Sequence, residues 1–172
     1  TPVSNDAIRY IAADSRTVYA LDGALSNVWS KHLSLAGLAV IDDTVAVLAL
    51  GDVPSIHALA VVSGKEDAVT AVPFSPSFPP CRVGTSLFYL SANGDGFFYS
   101  LTDRSVSALR LHRPTPIPPL SDGQSVFIID GKGVLLAVSG TNAKPRERSS
   151  LAGKFSSPAV MAGKDIIAVS DS

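Results

Sequence analysis

Short apolar stretches alternate with polar turns along this chain, and one apolar segment recurs four times. Its first copy is Val18-Tyr19-Ala20-Leu21, and the later copies follow at steps of 38, 42 and 37 residues. Those later copies are Ile56-His57-Ala58-Leu59, Phe98-Tyr99-Ser100-Leu101 and Leu135-Leu136-Ala137-Val138. A period of about 40 residues built from short strands is typical of the blades of a β-propeller.

Each copy lies in the same local order, which predicts four strands per repeat. An apolar strand precedes it, at residues 10–13, 45–48, 87–90 and 126–129. A more polar strand follows it, at residues 27–32, 67–72, 105–111 and 146–151. A fourth segment, often opened by proline, comes before each hairpin, at residues 1–3, 79–81, 117–119 and 157–160. Proline is tolerated at the first residue of a strand, and polar residues protect an outer edge.

The turn residues favour hairpins over helices. Asn93-Gly94 and Asp130-Gly131 supply the positive φ angles that tight hairpins need. Residues 33–50 are apolar enough to suggest a helix, but the Asp42-Asp43-Thr44 turn and the valines favour two strands.

We therefore predict an all-β fold, a β-propeller with about four four-stranded blades plus the start of another, in a partial ring. The approximate blades are residues 1–34, 35–72, 73–112 and 113–152, with 153–172 a partial blade. Small residues in the third strand fit the packing of blade on blade: Ala20, Ala58, Ser100 and Ala137. Another all-β sandwich or barrel is the alternative fold. A partial ring leaves faces and edges uncovered, so we expect a longer polypeptide or self-association.

Composition excludes several classes of protein. With 46% hydrophobic and 17% charged residues, the chain is not a disordered one. Its net charge of −1 gives no basic field for nucleic acid. The densest basic stretch, residues 144–148, is interpreted as a solvated strand or loop. The most apolar region, residues 33–50, is interrupted by Asp42-Asp43 and Gly37, so we predict no membrane span.

Candidate catalytic and metal-binding residues do not form a recognisable motif, so we predict no catalytic, cofactor or metal site. Cys81 is the single cysteine, which excludes an intrachain disulfide and a thiolate zinc cluster. His57 takes the position of Tyr19 in the repeat and is interpreted as a packing residue with a polar tip. His32 and His112 fall in different blades, without metal-ligand spacing.

Two further motifs are interpreted as turns. Ser139-Gly140 lacks the flanking glycines of a serine nucleophile elbow, although a triad assembled from distant residues stays open. Residues 93–96 resemble part of a calcium loop but lack its further acidic ligands, so a turn is predicted.

The sharpest local motif is a proline-rich stretch that begins at Arg113. Arg113, Pro116 and Pro119 have the Arg-x-x-Pro-x-x-Pro spacing of a polyproline ligand for SH3-type domains, which makes them candidate partner-binding residues. The stretch also lies where the fourth blade needs its linker and opening strand. A related stretch, residues 73–80, has the same phase one blade earlier, which favours the structural interpretation.

The first repeat resembles that of the pyrroloquinoline-quinone-type propellers. The resemblance is carried by Thr17-Val18-Tyr19-Ala20-Leu21-Asp22, followed by Val28-Trp29-Ser30-Lys31. Ser63-Gly64-Lys65-Glu66 is similar to the family's turn, and Ser157-Pro158-Ala159-Val160 to its opening strand. Ala68 stands where the second copy would carry Trp, and the third and fourth copies lack both Trp and Asp.

This resemblance implies two kinds of function. Some members of the family are quinone-dependent, calcium-assisted dehydrogenases with a vicinal cysteine pair, which a chain with Cys81 alone cannot form. Others are periplasmic or lumenal binding scaffolds, and Trp29 fits their blade-docking position. We expect a non-enzymatic scaffold for protein–protein interaction or sensing, whose partner is another protein, a second copy or the remaining blades of the same polypeptide. The alternative is a fragment of a dehydrogenase or another propeller enzyme with its site mostly outside this segment.

Overall fold

The computed structural model describes residues 10–139, 142–151 and 153–171, and its regular structure there consists of strands. The chain divides into two compact units, Thr1–Ser75 and Pro76–Ser172. The strands of the first unit are β1 (Tyr10–Ala13), β2 (Thr17–Leu21), β3 (Asn27–His32), β4 (Leu35–Ile41), β5 (Thr44–Ala49), β6 (Ser55–Ala60) and β7 (Glu66–Ala71). Those of the second unit are β8 (Cys81–Val83), β9 (Ser86–Leu90), β10 (Asp95–Ser100), β11 (Val106–Arg110), β12 (Leu120–Ser121), β13 (Ser125–Ile129), β14 (Val134–Ser139), β15 (Asn142–Ser150), β16 (Val160–Ala162) and β17 (Asp165–Ile167).

Consecutive strands pair in antiparallel meanders, as blades do. The first unit holds the sheets β1-β2-β3 and β4-β5-β6-β7. The second unit holds β8-β9-β10-β11, β12-β13-β14-β15 and the two-stranded β16-β17. Residues 33–50, for which a helix was the alternative, form β4 and β5 joined at Asp42 and Asp43. The predicted opening strand at residues 1–3 lies outside the described residues.

The recurring apolar segment occupies the same place in four of the five sheets. Its copies lie in β2, β6, β10 and β14, with Leu101 following the end of β10. Each of these strands pairs on one side with the preceding apolar strand and on the other with the following polar strand. The prediction of repeated four-stranded blades is confirmed.

The prolines were predicted to begin the first strand of a blade, but in the structure they lie just before it. β8 starts at Cys81, after Pro79 and Pro80, and β12 starts at Leu120, after Pro118 and Pro119. The ring nitrogen of proline has no hydrogen to donate to a ladder, so these residues end the linker and pairing begins beyond them.

The hairpin at residues 130–133 departs from the predicted turn chemistry. Gly94 has φ 90°, as its dipeptide predicts, but in the later turn Gly133 is the left-handed residue, with φ 78°. The buried carboxylate of Asp130 accepts hydrogen bonds from the backbone N–H groups of Lys132 (2.8 Å) and Val134 (2.9 Å). This side-chain cap wraps the turn around Asp130 and moves the position that needs glycine two residues along.

Aspartates cap other hairpins in the same way. Asp14 accepts from the backbone of Arg16 at 2.7 Å, and Asp122 accepts from Ser125 at 2.7 Å. These hydrogen bonds lower the pKa of both carboxyl groups from the ordinary range. The repeat therefore uses these exposed acidic side chains to shape turns.

Each unit has its own apolar core between neighbouring sheets. In the first unit, Val18 packs with Val45, Val47 and Leu59, all fully buried. In the second unit a larger cluster joins the sheets β8–β11 and β12–β15, and it includes Phe88, Phe98, Val126, Ile128 and Val138. The rings of Phe88 and Phe98 have centroids 4.7 Å apart. Burial of such side chains stabilises the fold by about 1.5–3 kcal/mol each.

The outermost strand of the fourth sheet, β15, is irregular. Its pairing with β14 shifts register between Leu135 and Leu136 and again between Ala137 and Ser139. Pro145 lies in this strand and is exposed. Bulges, proline and charge are the usual protection of a sheet edge.

Candidate functional site

The proline-rich stretch joins the third and fourth blades, and its predicted partner-binding residues differ in exposure. Arg113 and Pro116 are exposed, whereas Pro119 is buried. The Arg113 Nη1 atom lies 3.0 Å from Oδ2 of Asp130, whose side chain is 1% exposed. In this conformation the guanidinium is held by a carboxylate of the chain itself.

Backbone hydrogen bonds fix the same stretch on both sides. The Thr115 hydroxyl donates to the carbonyl of Ser91 at 2.9 Å, and Thr115 N–H donates to Ala92. On the other side the N–H of Gly131 donates to the carbonyl of Pro114 at 2.7 Å. Docking as a polyproline ligand would require this stretch to leave its place and Pro119 to leave its buried position. Partner binding by Arg113, Pro116 and Pro119 stays a prediction.

His57 lies in a hydrogen-bonded cluster that sequence reasoning missed. Its Nδ1 atom is 2.8 Å from Oε2 of Glu66, and its Nε2 atom is 3.1 Å from Oγ of Ser55. Lys31, on β3 of the neighbouring blade, completes the cluster at 3.3 Å from the same Glu66 oxygen. The neutral tautomer with its proton on Nδ1 satisfies both contacts of the imidazole. The alternation of Ser55 and His57 on one strand face was visible in the sequence, but the contact with Glu66 crosses a bulge to the next strand.

Electrostatics in this cluster favour a charged carboxylate. The hydrogen bond from His57 lowers the pKa of Glu66 below its ordinary value, against an opposing effect of burial, and Lys31 lowers it further. The Lys31–Glu66 pair therefore links two adjacent blades of the first unit.

The two other histidines of the chain lie apart from this cluster. His32 contacts the hydroxyl of Thr17 at 3.0 Å through Nδ1, and His112 is exposed with φ 55°. Within residues 10–139, 142–151 and 153–171, no group of three His, Cys, Asp or Glu side chains is placed to hold a metal ion. The same part of the chain contains no helix that is long and apolar enough to cross a membrane.

Cys81 begins β8 and is half-buried. Burial raises the pKa of its thiol to about 12. Since the thiolate is the reactive form of cysteine, this thiol is a packing group at neutral pH.

The outer face of the first blade is covered by the next hairpin. Trp29 on β3 donates a hydrogen bond from Nε1 to the carbonyl of Val61 at 2.7 Å. Its ring lies over Gly64, where a Cβ atom would be only 2.6 Å from Cδ2 of the indole. Glycine is therefore required where the β6–β7 turn meets the ring.

The equivalent face of the fourth sheet is covered only in its inner part. There Leu135, Ile166 and Ala168 all pack against one buried cluster, which includes Ile129 and Phe155. The outer part opens into a cleft of about 190 Å³, which we call the basic cleft. The basic cleft is lined by Ser125, Ala137, Ser139, Lys144, Arg146 and Arg148.

The three cations of the basic cleft alternate along β15 and are exposed. In the part of the chain that the structure describes, no carboxylate pairs with any of them. Sequence reasoning placed this stretch on a solvated strand or loop, and the structure places it on a strand. The two-residue spacing of the cations was the available signal that they share a face.

No protein-family model matches the sequence, and no curated protein sequence matches it. Solved structures do resemble the chain in fold. BamB from Moraxella catarrhalis aligns with a TM-score of 0.74 at 18% identity, over 97% of this chain and 56% of that one. The N-terminal domain of Nup159 aligns with a TM-score of 0.67 at 13% identity, over 92% of this chain and 48% of that one.

A third similar structure is an S. cerevisiae assembly of Dbp5 bound to Nup159, Gle1, IP6 and ADP. One of its chains aligns with a TM-score of 0.68 at 13% identity, over 96% of this chain and 50% of that chain. At these identities the likeness shows the fold alone, and the fold is a β-propeller. The present chain spans about half the length of each of these three chains.

Proposed function

We propose that this β-propeller is a non-enzymatic scaffold for protein–protein interaction, which binds a β-hairpin of a partner protein at the basic cleft of the β12–β15 sheet. The observation that carries the proposal is the basic cleft itself, whose three cations are exposed and have no carboxylate partner among the described residues. In the first unit the equivalent face accepts the β6–β7 hairpin through Trp29.

The similar structures support a binding role for this fold. In the S. cerevisiae assembly Dbp5 is bound to Nup159, and the N-terminal domain of Nup159 shares the fold of this chain. Because this chain spans about half the length of those proteins, further blades of the same polypeptide are another source of the hairpin.

A titration with a model hairpin tests the proposal. The probe is a cyclised peptide of residues 55–71, which contains β6, β7 and their turn and covers the equivalent face in the first unit. We expect saturable binding, with NMR shift changes at Ser125, Ala137 and Ser139. Absence of binding, or shift changes confined to other surfaces, would overturn it.

A matched pair of variants localises the binding. Ser139 is exposed and lines the basic cleft, so Ser139→Trp should fill the cleft and abolish binding. Ser107 is exposed on β11, and Ser107→Trp should leave binding unchanged. Equal effects of the two substitutions would place the partner elsewhere.

A second candidate function, ester hydrolysis, is favoured by the order Ser55–His57–Glu66. A hydroxyl on Nε2 and a carboxylate on Nδ1 is the arrangement that activates a serine nucleophile. Oγ of Ser55 would bond to the acyl carbon, while its proton passes through His57 to the departing alcohol. Water, giving a proton to His57, would then attack the acyl carbon, and the carboxylic acid would leave as the proton returns to Oγ of Ser55. A fluorophosphonate reagent should then label Ser55 in the native chain and not in His57→Gln. Absence of label on Ser55 would exclude this candidate.

A further inference from the structure

The outer strand β7 presents main-chain groups that no other described strand pairs with. It is the last strand of the β4–β7 sheet, which already has the four strands of a blade. The N–H of Val72 donates to the carbonyl of Pro54. Hydrogen-bonded pairs alternate along an antiparallel ladder, so Thr70 bonds to β6 opposite Ile56. The main-chain groups of residues 69 and 71 therefore point away from the sheet.

The side chains at this edge include an apolar group and a carboxylate. Val69 is 52% exposed, and among the described residues of the outer strands β3, β7, β11 and β15 it is the one large apolar side chain that is exposed. Asp67 is exposed at the bulge near the start of β7, and it forms no ion pair with another residue that the structure describes. Its neighbour Glu66 is already held by His57 and Lys31.

The other outer strands carry more protection along their edges. β15 contains Pro145 and two register shifts, β3 ends in Lys31 and His32, and β11 ends in Arg110. Proline, bulges and cations are the devices that keep an edge from accepting another strand. Residues 68–71 of β7 have none of them and lie in regular register with β6.

We propose that β7 binds an extended segment of a partner protein as a fifth, antiparallel strand, with a cationic side chain on Asp67 and an apolar side chain beside Val69. In this mode of recognition, main-chain hydrogen bonds supply affinity and alternate side chains supply selectivity. Side chains that face each other on paired strands are in contact, which gives Val69 and Asp67 their complementary neighbours. The inference goes beyond the proposed function, since it uses a different sheet from the basic cleft.

A capped peptide, Thr-Ala-Thr-Ile-Thr-Lys-Thr, is the probe for the full chain. In antiparallel register its alanine lies opposite Ala71 and its isoleucine opposite Val69, and its lysine comes within reach of Asp67. We expect saturable binding by NMR titration, with the amide signals of Val69 and Ala71 shifting most. Glutamate in place of the lysine should weaken binding about fivefold at low ionic strength.

N-methyl groups on the peptide separate main-chain pairing from a contact of side chains alone. A methyl on the isoleucine nitrogen removes the hydrogen bond to the carbonyl of Val69 and blocks close approach, so it should weaken binding about tenfold or more. A methyl on the nitrogen of the threonine that follows points away from β7 and should change binding by less than about threefold. Equal effects of the two methyl groups would overturn the proposed strand pairing.

Matched variants of the chain localise the binding to β7. Val69→Pro removes an outward N–H but no ladder bond, and proline is tolerated at such edge positions, so this variant should fold and lose binding. Ala108→Pro is the control, because the N–H of Leu111 donates to Gly94 and the N–H of residue 108 therefore also points outward, from β11. It should leave binding unchanged. Asp67→Lys keeps the main chain intact and should reverse the preference between the lysine and glutamate peptides.

The outcomes are separable from those at the basic cleft. Failure of the lysine peptide to bind, or shift changes confined to other strands, would overturn this inference and leave the basic cleft untouched. An unchanged peptide preference in Asp67→Lys would overturn the contact with the carboxylate. A concentration-dependent dimer of the chain that is lost in Val69→Pro would assign the edge to a second copy and overturn the partner segment.

Discussion

The faces of the first blade and of the fourth sheet are built on the same repeat but end in opposite surfaces. In both, a small residue of the recurring segment lies opposite a residue of the following strand, Trp29 in one and Arg146 in the other. Trp29 is covered, with its indole hydrogen bonded and Gly64 beneath it. Arg146 is exposed in a cleft with two further cations.

The two faces share an apolar inner part and differ in the residue at the outer strand. The inner parts of both faces are apolar: Val18 and Val45 share one cluster, and Leu135 and Ile166 pack against the other. This apolar inner part holds adjacent sheets together, because burial of apolar area is the main stabilising contribution. The residue at the outer-strand position differs between the two faces, an indole in one and a guanidinium in the other.

The largest expected effect comes from removing the covered residue. Trp29→Ala should lower the free energy of unfolding by about 3 kcal/mol, since a large, partly buried side chain and its hydrogen bond are lost. Arg146→Ala, at the same repeat position, should change it by less than about 0.5 kcal/mol. Urea unfolding followed by circular dichroism measures both. Similar losses for the two variants would mean that the faces do not differ as described.

The next largest loss of stability is expected from a substitution of Gly64, which lies under the indole ring of Trp29. Gly64→Ala should cost about 2 kcal/mol, because Gly64 has φ +63° and its new Cβ would meet the Trp29 ring. Gly84→Ala is the matched control, since Gly84 has φ +55° with nothing within 4 Å of a Cβ. It should lose only the conformational part, about 1 kcal/mol. Equal costs in the same unfolding assay would show that the ring moves aside freely.

The Lys31–Glu66 pair gives a smaller effect that depends on pH. The pKa of Glu66 is lowered in the folded chain, so its contribution to stability is complete above the ordinary pKa of a glutamic acid and is lost as the pH falls through the lowered value. The pair is about one-third exposed, so the contribution should be below about 1 kcal/mol. Glu66→Gln should remove this acid-dependent loss. Thermal unfolding across the acidic range checks it, and an unchanged pH profile in the variant would contradict it.

The smallest effect on stability is expected when tryptophan, the residue type at position 29, replaces Arg146. Arg146→Trp should change the free energy of unfolding by less than about 0.5 kcal/mol, because nothing described in the structure covers that position. It should make the chain associate at lower concentration, since an exposed indole in place of a cation enlarges the apolar surface. Sedimentation of the wild-type chain and the variant side by side measures this. A clear gain in stability without association would mean that the face is already covered.

Much of the fold could be predicted because the strands that pair in each sheet are also neighbours along the sequence. The recurring segments around Tyr19 and Tyr99 have the same neighbours in sequence, and antiparallel meanders keep sequence neighbours paired in space. The choice between Gly131 and Gly133 as the left-handed residue could not be predicted. It depends on how the buried Asp130 side chain caps the turn, which the dipeptide alone does not show.

The candidate site was less accessible from sequence. The contact of His57 with Glu66 crosses to another strand at a bulge, so spacing along the chain gave no sign of it. The alternation of Arg146 and Arg148 showed that they share a face, but whether that face is open depends on the neighbouring sheet. The burial of Pro119 likewise depends on the tertiary structure, and the polyproline pattern of the sequence does not show it.

The irregular outer strand β15 constrains how any binder can approach. Pro145 offers no amide hydrogen, and the two register shifts break the even spacing of donors and acceptors along the free side of the strand. Lateral growth of the sheet, in which another chain adds strand after strand as in fibrils, is therefore disfavoured at this border. A partner of the kind proposed for the basic cleft would therefore dock on the broad side of the blade, where side chains and not main-chain groups are presented.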